Sequence, residues 1–244
     1  MKIRKYTKKT NSLYKVTLEN NESILLHEEV ILKNNLLIKK EIDDIDELVK
    51  QSHDYEINNV ALKYIGRKMR SKKELRDYLK KQEYAEDIIN KAIKLLEDQG
   101  YLNDLNYAKA YINDRFNLSN DGPHKISNYL ESMHIDYQVY SNYLNELFTK
   151  ENTYERINKY LNKLVKSNKK SMYHFKNKML INLVNLGYNR VDISSCLENF
   201  DKSSDEENYL KAKMKIEQSL KRKYSGMELE QKIKERLYRQ GFFK

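Results

Sequence analysis

One pattern in the 244-residue chain governs what it can fold into: apolar residues four and nine positions apart, in four copies. Leu75, Leu79 and Tyr84 carry the first copy; Ile126, Leu130 and Ile135 the second; Met179, Leu183 and Tyr188 the third; Ile233, Leu237 and Phe242 the fourth. The copies lie 51, 53 and 54 residues apart. A four-residue step keeps side chains on one helix face, and a recurrence of this length marks an array of small helical modules. The next helix repeats too: Ile89, Ile93 and Leu96 are answered by Tyr140, Leu144 and Leu147, then by Ile193, Leu197 and Phe200.

Start and stop signals frame these helices. Ser71 with Glu74 forms a capping box, in which the hydroxyl accepts an orphan N–H and the carboxylate reaches back. Pro123 after Gly122 presets a first helical position, and Ser171 and Ser225 stand at the matching places of copies three and four. Gly100, Gly187 and Gly241 follow helices as left-handed caps do. Each module is therefore expected to hold three helices. The first helices run over 56–69, 104–117, 151–166 and 205–223, and the third ones start near Glu86, Asp136 and Asn189.

The expected modules are 56–103, 104–149, 150–203 and an incomplete 204–244, which stops at Lys244 with no third helix. Residues 1–55 differ: LYKVTL (13–18) and SILL (23–26) flank Asn20-Asn21, a pair suited to a hairpin turn. Short helices are expected from His27 to Asn34 and from Asp43 to Gln51. Six glycines and one proline supply too few turn-formers for an all-β fold. The fold class is mainly α: tandem three-helix repeats forming an elongated, curved array, with a small N-terminal β-hairpin region.

The net charge of +10 is unevenly placed: residues 1–149 hold 24 basic and 24 acidic residues, and 150–244 hold 22 and 12. Within the balanced part, Lys63 to Lys81 carries nine basic residues against Glu74 and Asp77. Arg67, Lys68, Arg70, Lys72, Lys73 and Arg76 cluster at the bend between two helices, where uncompensated cations suit phosphates or an acidic protein surface. Lys166, Lys169, Lys170, Lys176 and Lys178 repeat this in module three, and Lys221, Arg222 and Lys223 in module four. The competing view of each is a solvated corner. Of the 20 tyrosines, Tyr64, Tyr84, Tyr101, Tyr140 and Tyr188 fall on repeat positions and are expected in the core; Tyr6, Tyr14 and Tyr173 are the exposed candidates for base stacking.

A single cysteine, Cys196, excludes disulfide frameworks and two-thiolate sites, and reads as a small buried hydrophobe. His27-Glu28-Glu29 lacks the second histidine of a zincin, and no glycine-rich phosphate loop is present. Paired carboxylates, Asp43-Asp44 and Glu206-Glu207, lie in polar stretches unsuited to acid–base work. The expectation is a protein that is not an enzyme, with no cofactor and no metal. The basic N-terminus is not followed by an apolar run of signal-peptide length, so a cytoplasmic, soluble monomer with no membrane partner is expected.

Ala61-Leu62-Lys63-Tyr64-Ile65, then Arg70-Ser71-Lys72-Lys73-Glu74-Leu75, then Gly100-Tyr101-Leu102-Asn103-Asp104 with Tyr107-Ala108 resemble the RecX family. Gly122-Pro123 with Ile126 and Leu130 is similar to the start of that family's second-module middle helix. The resemblance departs at Glu83 and His134, where members often carry glycine. It implies a regulator of the RecA recombinase, binding in the groove of the RecA filament on single-stranded DNA and inhibiting strand exchange, ATP hydrolysis and coprotease activity. Single-stranded DNA, and double-stranded DNA beside it, are the implied nucleic-acid partners. The alternative is a sequence-independent nucleic-acid-binding repeat protein with no recombinase partner.

Overall fold

A computed structural model describes residues 1–10, 12–200 and 204–243. The module boundary placed at 203 and the terminal Lys244 lie outside the described residues. Strands β1 (Ile3–Lys8), β2 (Leu13–Leu18) and β3 (Ser23–His27) form an antiparallel sheet in that order. Tyr6, Val16 and Ile24 stand side by side across it, and Val16, Leu18 and Leu26 are buried. The turn uses Asn21 at φ 65°, with Leu18 N–H donating to Glu22 O at 2.9 Å. The expected hairpin is thus two of three strands. β1 escapes a pattern search because its register shifts between Ile3 and Lys5, which breaks the two-residue alternation.

Short helices α1 (Glu28–Lys33) and α2 (Leu36–Lys39) follow, then α3 (Ile45–Ile65), capped by Asp44 accepting from Glu47 N–H at 3.0 Å. The helices expected over 43–51 and 56–69 are this one helix, so the boundary drawn at 55/56 lies inside it. Its polar middle, Ser52-His53-Asp54, reads as a gap in sequence. Yet Ser52 is buried against the sheet, its hydroxyl accepting from His27 N–H at 2.7 Å. A polar residue with a buried partner is stable on a core-facing position.

The remaining helices are α4 (Lys72–Lys81), α5 (Glu86–Asp98), α6 (Asp104–Leu118), α7 (Pro123–Ser132), α8 (Tyr137–Leu147), α9 (Lys150–Val165), α10 (Met172–Asn185), α11 (Arg190–Glu198), α12 (Ser204–Leu220) and α13 (Gly226–Arg239). The chain divides into two compact units, Met1–Tyr107 and Ala108–Lys244. The fold is mainly helical with a small N-terminal sheet, as the sequence predicts.

The four-and-nine spacing has a single backbone cause. In α4, α7, α10 and α13 the helix ends in a left-handed residue: Glu83 (φ 64°), His134 (φ 59°), Gly187 (φ 87°) and Gly241 (φ 76°). The next residue then folds back and donates its N–H into the last turn: Tyr84 to Leu79 O at 3.4 Å, Ile135 to Leu130 O at 3.1 Å, Tyr188 to Leu183 O at 3.1 Å, Phe242 to Leu237 O at 3.0 Å. This is the Schellman closure, in which the apolar residue after the left-handed one packs onto the helix it has just left. Leu79, Leu130, Leu183 and Leu237 are all buried, and full burial of such a side chain contributes about 1.5–3 kcal/mol. The same closure ends α5 at Gly100, but there Tyr101 is 62% exposed and Leu102 fills the core. Tyr101 is therefore not a core residue, contrary to its repeat position.

In the second unit the modules meet through these caps. Gly122, the N-cap of α7, donates its N–H to Leu186 O at the end of α10 at 2.6 Å. A side chain on Gly122 would place Cβ 2.7 Å from Gly187 C and O, and one on Gly187 would place it 2.6 Å from Lys125 Cβ. Both residues are glycine because two backbones touch here. The next junction repeats the arrangement: Ser171, the N-cap of α10, donates from its hydroxyl to Gln240 O at the end of α13 at 2.7 Å. Arg156 from α9 fixes the first junction, donating to Ser119 O at 3.0 Å, to Phe116 O, and to the Tyr188 hydroxyl at 3.3 Å, with its guanidinium 4.6 Å from the Phe116 ring centre. Ser225 holds the N-cap place of α13 but its side chain makes no cap hydrogen bond, so the expected cap there is only positional.

Candidate functional site

The bend between α3 and α4 is closed by the capping box expected from sequence: Ser71 Oγ accepts from Glu74 N–H at 3.1 Å and Glu74 accepts from Ser71 N–H at 3.1 Å. Asp104, at the start of α6, adds a carboxylate that accepts from Lys72 N–H at 3.0 Å. Asp205 on α12 does the same for Met172 N–H at 2.8 Å. Each aspartate, at the start of one helix, satisfies the first N–H of an earlier helix, a role not visible in apolar periodicity.

The charge of this bend is largely compensated, which corrects the expectation. Arg70 lies 3.0 Å from Glu74 and 4.3 Å from the Tyr64 ring centre, and Tyr64 in turn stacks on Tyr78 at 3.9 Å. The Arg70 side chain is only 17% exposed, so it packs rather than reaches. Lys68 approaches Glu74 at 3.9 Å, Lys73 pairs with Asp77 at 2.7 Å, Lys72 pairs with Glu97, and Arg76 pairs with Glu86. The counterions Glu86 and Glu97 come from α5, beyond the stretch from Lys63 to Lys81. Glu86 is held below the usual carboxylate range, first by its hydrogen bond to Lys80. Arg67 alone of the six is exposed and without a carboxylate partner among the described residues.

The bend between α9 and α10 is different. Asn168 accepts from Lys170 N–H at 3.1 Å, and Asn208 of α12, itself buried, donates to Asn168 O at 3.2 Å and Lys170 O at 3.1 Å. The loop backbone is pinned from below, and the side chains of Lys169 and Lys170 stand outward. With Lys178 they line a cleft of about 440 Å³ whose wall includes Tyr160, His174 and Asn182. Lys166 faces the neighbouring surface of α9 beside Lys159 and Lys163, and Lys176 faces α11. None of Lys166, Lys169, Lys170, Lys176 and Lys178 has an ion-pair partner among the described residues. In module four Lys221 pairs with Glu217 at 2.9 Å, while Arg222 and Lys223 are exposed and unpaired among the described residues.

A further uncompensated run escapes a charge count because it is averaged into a neutral half. Lys2, Arg4, Lys5, Lys8, Lys9 and Lys15 precede the first acidic residue, Glu19, and form no ion pair among the described residues. Of the tyrosines expected to be exposed, Tyr173 is 51% exposed. Tyr6 is half-buried, its hydroxyl donating to Leu36 O at 2.9 Å, and Tyr14 is half-buried as well. Cys196 is buried, and burial pushes its thiol pKa up. No helix among the described residues is long and apolar enough to cross a membrane.

Residues 59–96, which hold α4 and most of α5, match the first three-helix domain of RecX. Over 247 residues the chain is 30% identical to the regulatory protein RecX of Lactococcus lactis subsp. lactis, covering 96% of this chain and 92% of that protein. It is 29% identical over 242 residues to the regulatory protein RecX of Bacillus subtilis, covering 96% and 91%. A crystal structure of a regulatory protein RecX shares the fold at a TM-score of 0.68, with 21% identity over 81% of this chain and 99% of that one. That of RecX from Lactobacillus salivarius gives 0.55, with 27% identity over 59% and 94%. At 30% identity over nearly the full length of both chains, the chain belongs to the RecX family of regulatory proteins.

Proposed function

We propose that this protein binds the groove of the RecA filament on single-stranded DNA and restrains strand exchange, ATP hydrolysis and coprotease activity, without catalysis of its own. The observation that carries the reading is family membership over 96% of the chain, among relatives named as regulatory proteins. The physics supports it in two ways. Repeated modules offer repeated contacts, and linked contacts of modest strength add through effective concentration. Unpaired cations at Arg67, at Lys169, Lys170 and Lys178, and at Arg222 and Lys223 are available to phosphates or to acidic faces of filament subunits. The protein acts in the cytoplasm as a monomer.

The test is titration into RecA with single-stranded DNA and ATP while hydrolysis is followed. Substoichiometric protein lowers hydrolysis on this reading. Unchanged hydrolysis at several-fold excess and low salt sinks it and favours the second reading, a sequence-independent nucleic-acid binder. The unpaired cations alone support that second reading, since they need no recombinase.

A further inference from the structure

Tyr173, Tyr238 and Phe243 are 51%, 66% and 57% exposed, although Tyr140 and Tyr188 of the same repeat are fully packed. The three rings touch: Phe243 stands edge-on to both tyrosines, with centroids 5.0 Å apart in each pair. They come from the first turn of α10 and from the last turn and end of α13, brought together by the Ser171–Gln240 hydrogen bond. Gly241 leaves the room they need, since a Cβ there would lie 3.0 Å from Tyr173 Cδ1. Three contacting aromatic rings left in water mark a binding surface.

The rim decides what binds. A cleft of about 300 Å³ lined by Lys169, Lys170, His174 and Arg239 adjoins the rings, and the His174 ring is 5.6 Å from that of Tyr173. None of Lys169, Lys170 and Arg239 is within ion-pair distance of a carboxylate among the described residues. An apolar partner, or a second copy of this basic chain, would bury those cations without counterions, which is costly. Single-stranded nucleic acid meets both requirements, with phosphates for the cations and open base faces for the rings. A duplex keeps its bases stacked on one another and offers phosphates alone.

We infer that the junction of α10 and α13 is a base-stacking site for single-stranded nucleic acid, where Tyr173, Tyr238 and Phe243 take unstacked bases and Lys169, Lys170 and Arg239 take the adjoining phosphates. The inference rests on the nucleic-acid part of the proposed function and requires no recombinase.

The experiment compares binding of the full chain to a short fluorescent oligothymidine, to the same strand with abasic sites in place of bases, and to a duplex of equal length. Base stacking makes oligothymidine the tightest, by about tenfold over the abasic strand. The double variant Tyr173→Ala, Tyr238→Ala loses that margin and binds the abasic strand as the unaltered chain does. Tyr173→Phe, Tyr238→Phe keeps the rings and restores the margin, which separates stacking from damage to the fold. Lys169→Ala, Lys170→Ala weakens binding to both strands alike. Equal affinity of the unaltered chain for oligothymidine and the abasic strand overturns the inference. So does self-association that the tyrosine-to-alanine variant abolishes, which assigns the surface to a second copy. Base preference without any effect on recombinase hydrolysis leaves this site standing and removes the filament reading instead.

Discussion

The hydroxyl of Ser171 donates to the carbonyl of Gln240 at 2.7 Å, across 69 residues of sequence, while accepting the His174 N–H at 3.3 Å. One fully buried oxygen thus caps α10 and ties it to α13. Ser171→Ala removes both bonds at once, so it is expected to cost about 1–2 kcal/mol. Ser225→Ala, at the same place in the next module, removes no cap bond and is expected to change stability by less than about 0.5 kcal/mol. Urea denaturation of the two variants checks the contrast, and equal effects would deny Ser171 its double role.

The left-handed caps make a second contrast. Gly187→Ala must place a side chain at φ 87° and against Lys125, so a loss of at least about 2 kcal/mol is expected. Glu83→Gly and His134→Gly relieve left-handed non-glycine residues at φ 64° and 59°. Each is expected to stabilise by about 0.5–1 kcal/mol, after the entropy glycine adds to the unfolded chain. Thermal melting measures the sign directly; a fall in melting temperature for both would refute the strain argument.

Arg70 and the module-three lysines should separate in their behaviour. Arg70→Gln removes the Glu74 ion pair and the cover over Tyr64, so its main effect is on stability, about 1–2 kcal/mol. Replacing Lys169, Lys170 and Lys178 by alanine leaves melting unchanged and makes the salt dependence of nucleic-acid binding shallower, by about 0.7 for every phosphate that is no longer neutralised. Measuring affinity against salt concentration for both variants decides the matter. A shallower slope for Arg70→Gln with normal melting would place the phosphates at the first bend instead.

Alkaline pH should weaken the fold. Burial raises the hydroxyl pKa of Tyr6, Tyr84, Tyr111, Tyr140 and Tyr188 above the ordinary value near 10. The folded chain therefore holds the proton more tightly than the unfolded chain. This stabilisation is complete below about pH 10 and is lost as pH climbs through the folded values. Denaturation midpoints on either side of pH 10 give the check, and a flat profile up to pH 11 would contradict it.

Much of the fold is legible in the sequence because its repeating element is a local one. Leu75, Leu79 and Tyr84 report a helix face and its closing turn together, so spacing alone locates the module. α3 reads as two helices because its Ser52 is buried for a hydrogen bond, and apolar periodicity does not register a polar core residue. The candidate site is less legible for a related reason. Charge counted along the chain finds cations, but their counterions at Glu86 and Glu97 come from the next helix, so the count mistakes a paired corner for a free one. Lys169 and Lys170 stay free while Asp205, which reaches the same bend, is committed to the Met172 N–H.

The buried clusters have a bearing on how the chain acquires its structure. One is drawn from Ile3 to Leu48, another from Ile57 to Leu102, another from Ile157 to Phe200, and another from Ile216 to Phe242. Each closes over a short stretch of chain, which keeps the entropy of loop closure small and folding fast. As the polypeptide leaves the ribosome, an apolar core can begin to form once its own fifty or so residues have emerged, and the polar ties from later helices, such as Gln240 to Ser171, are added afterwards.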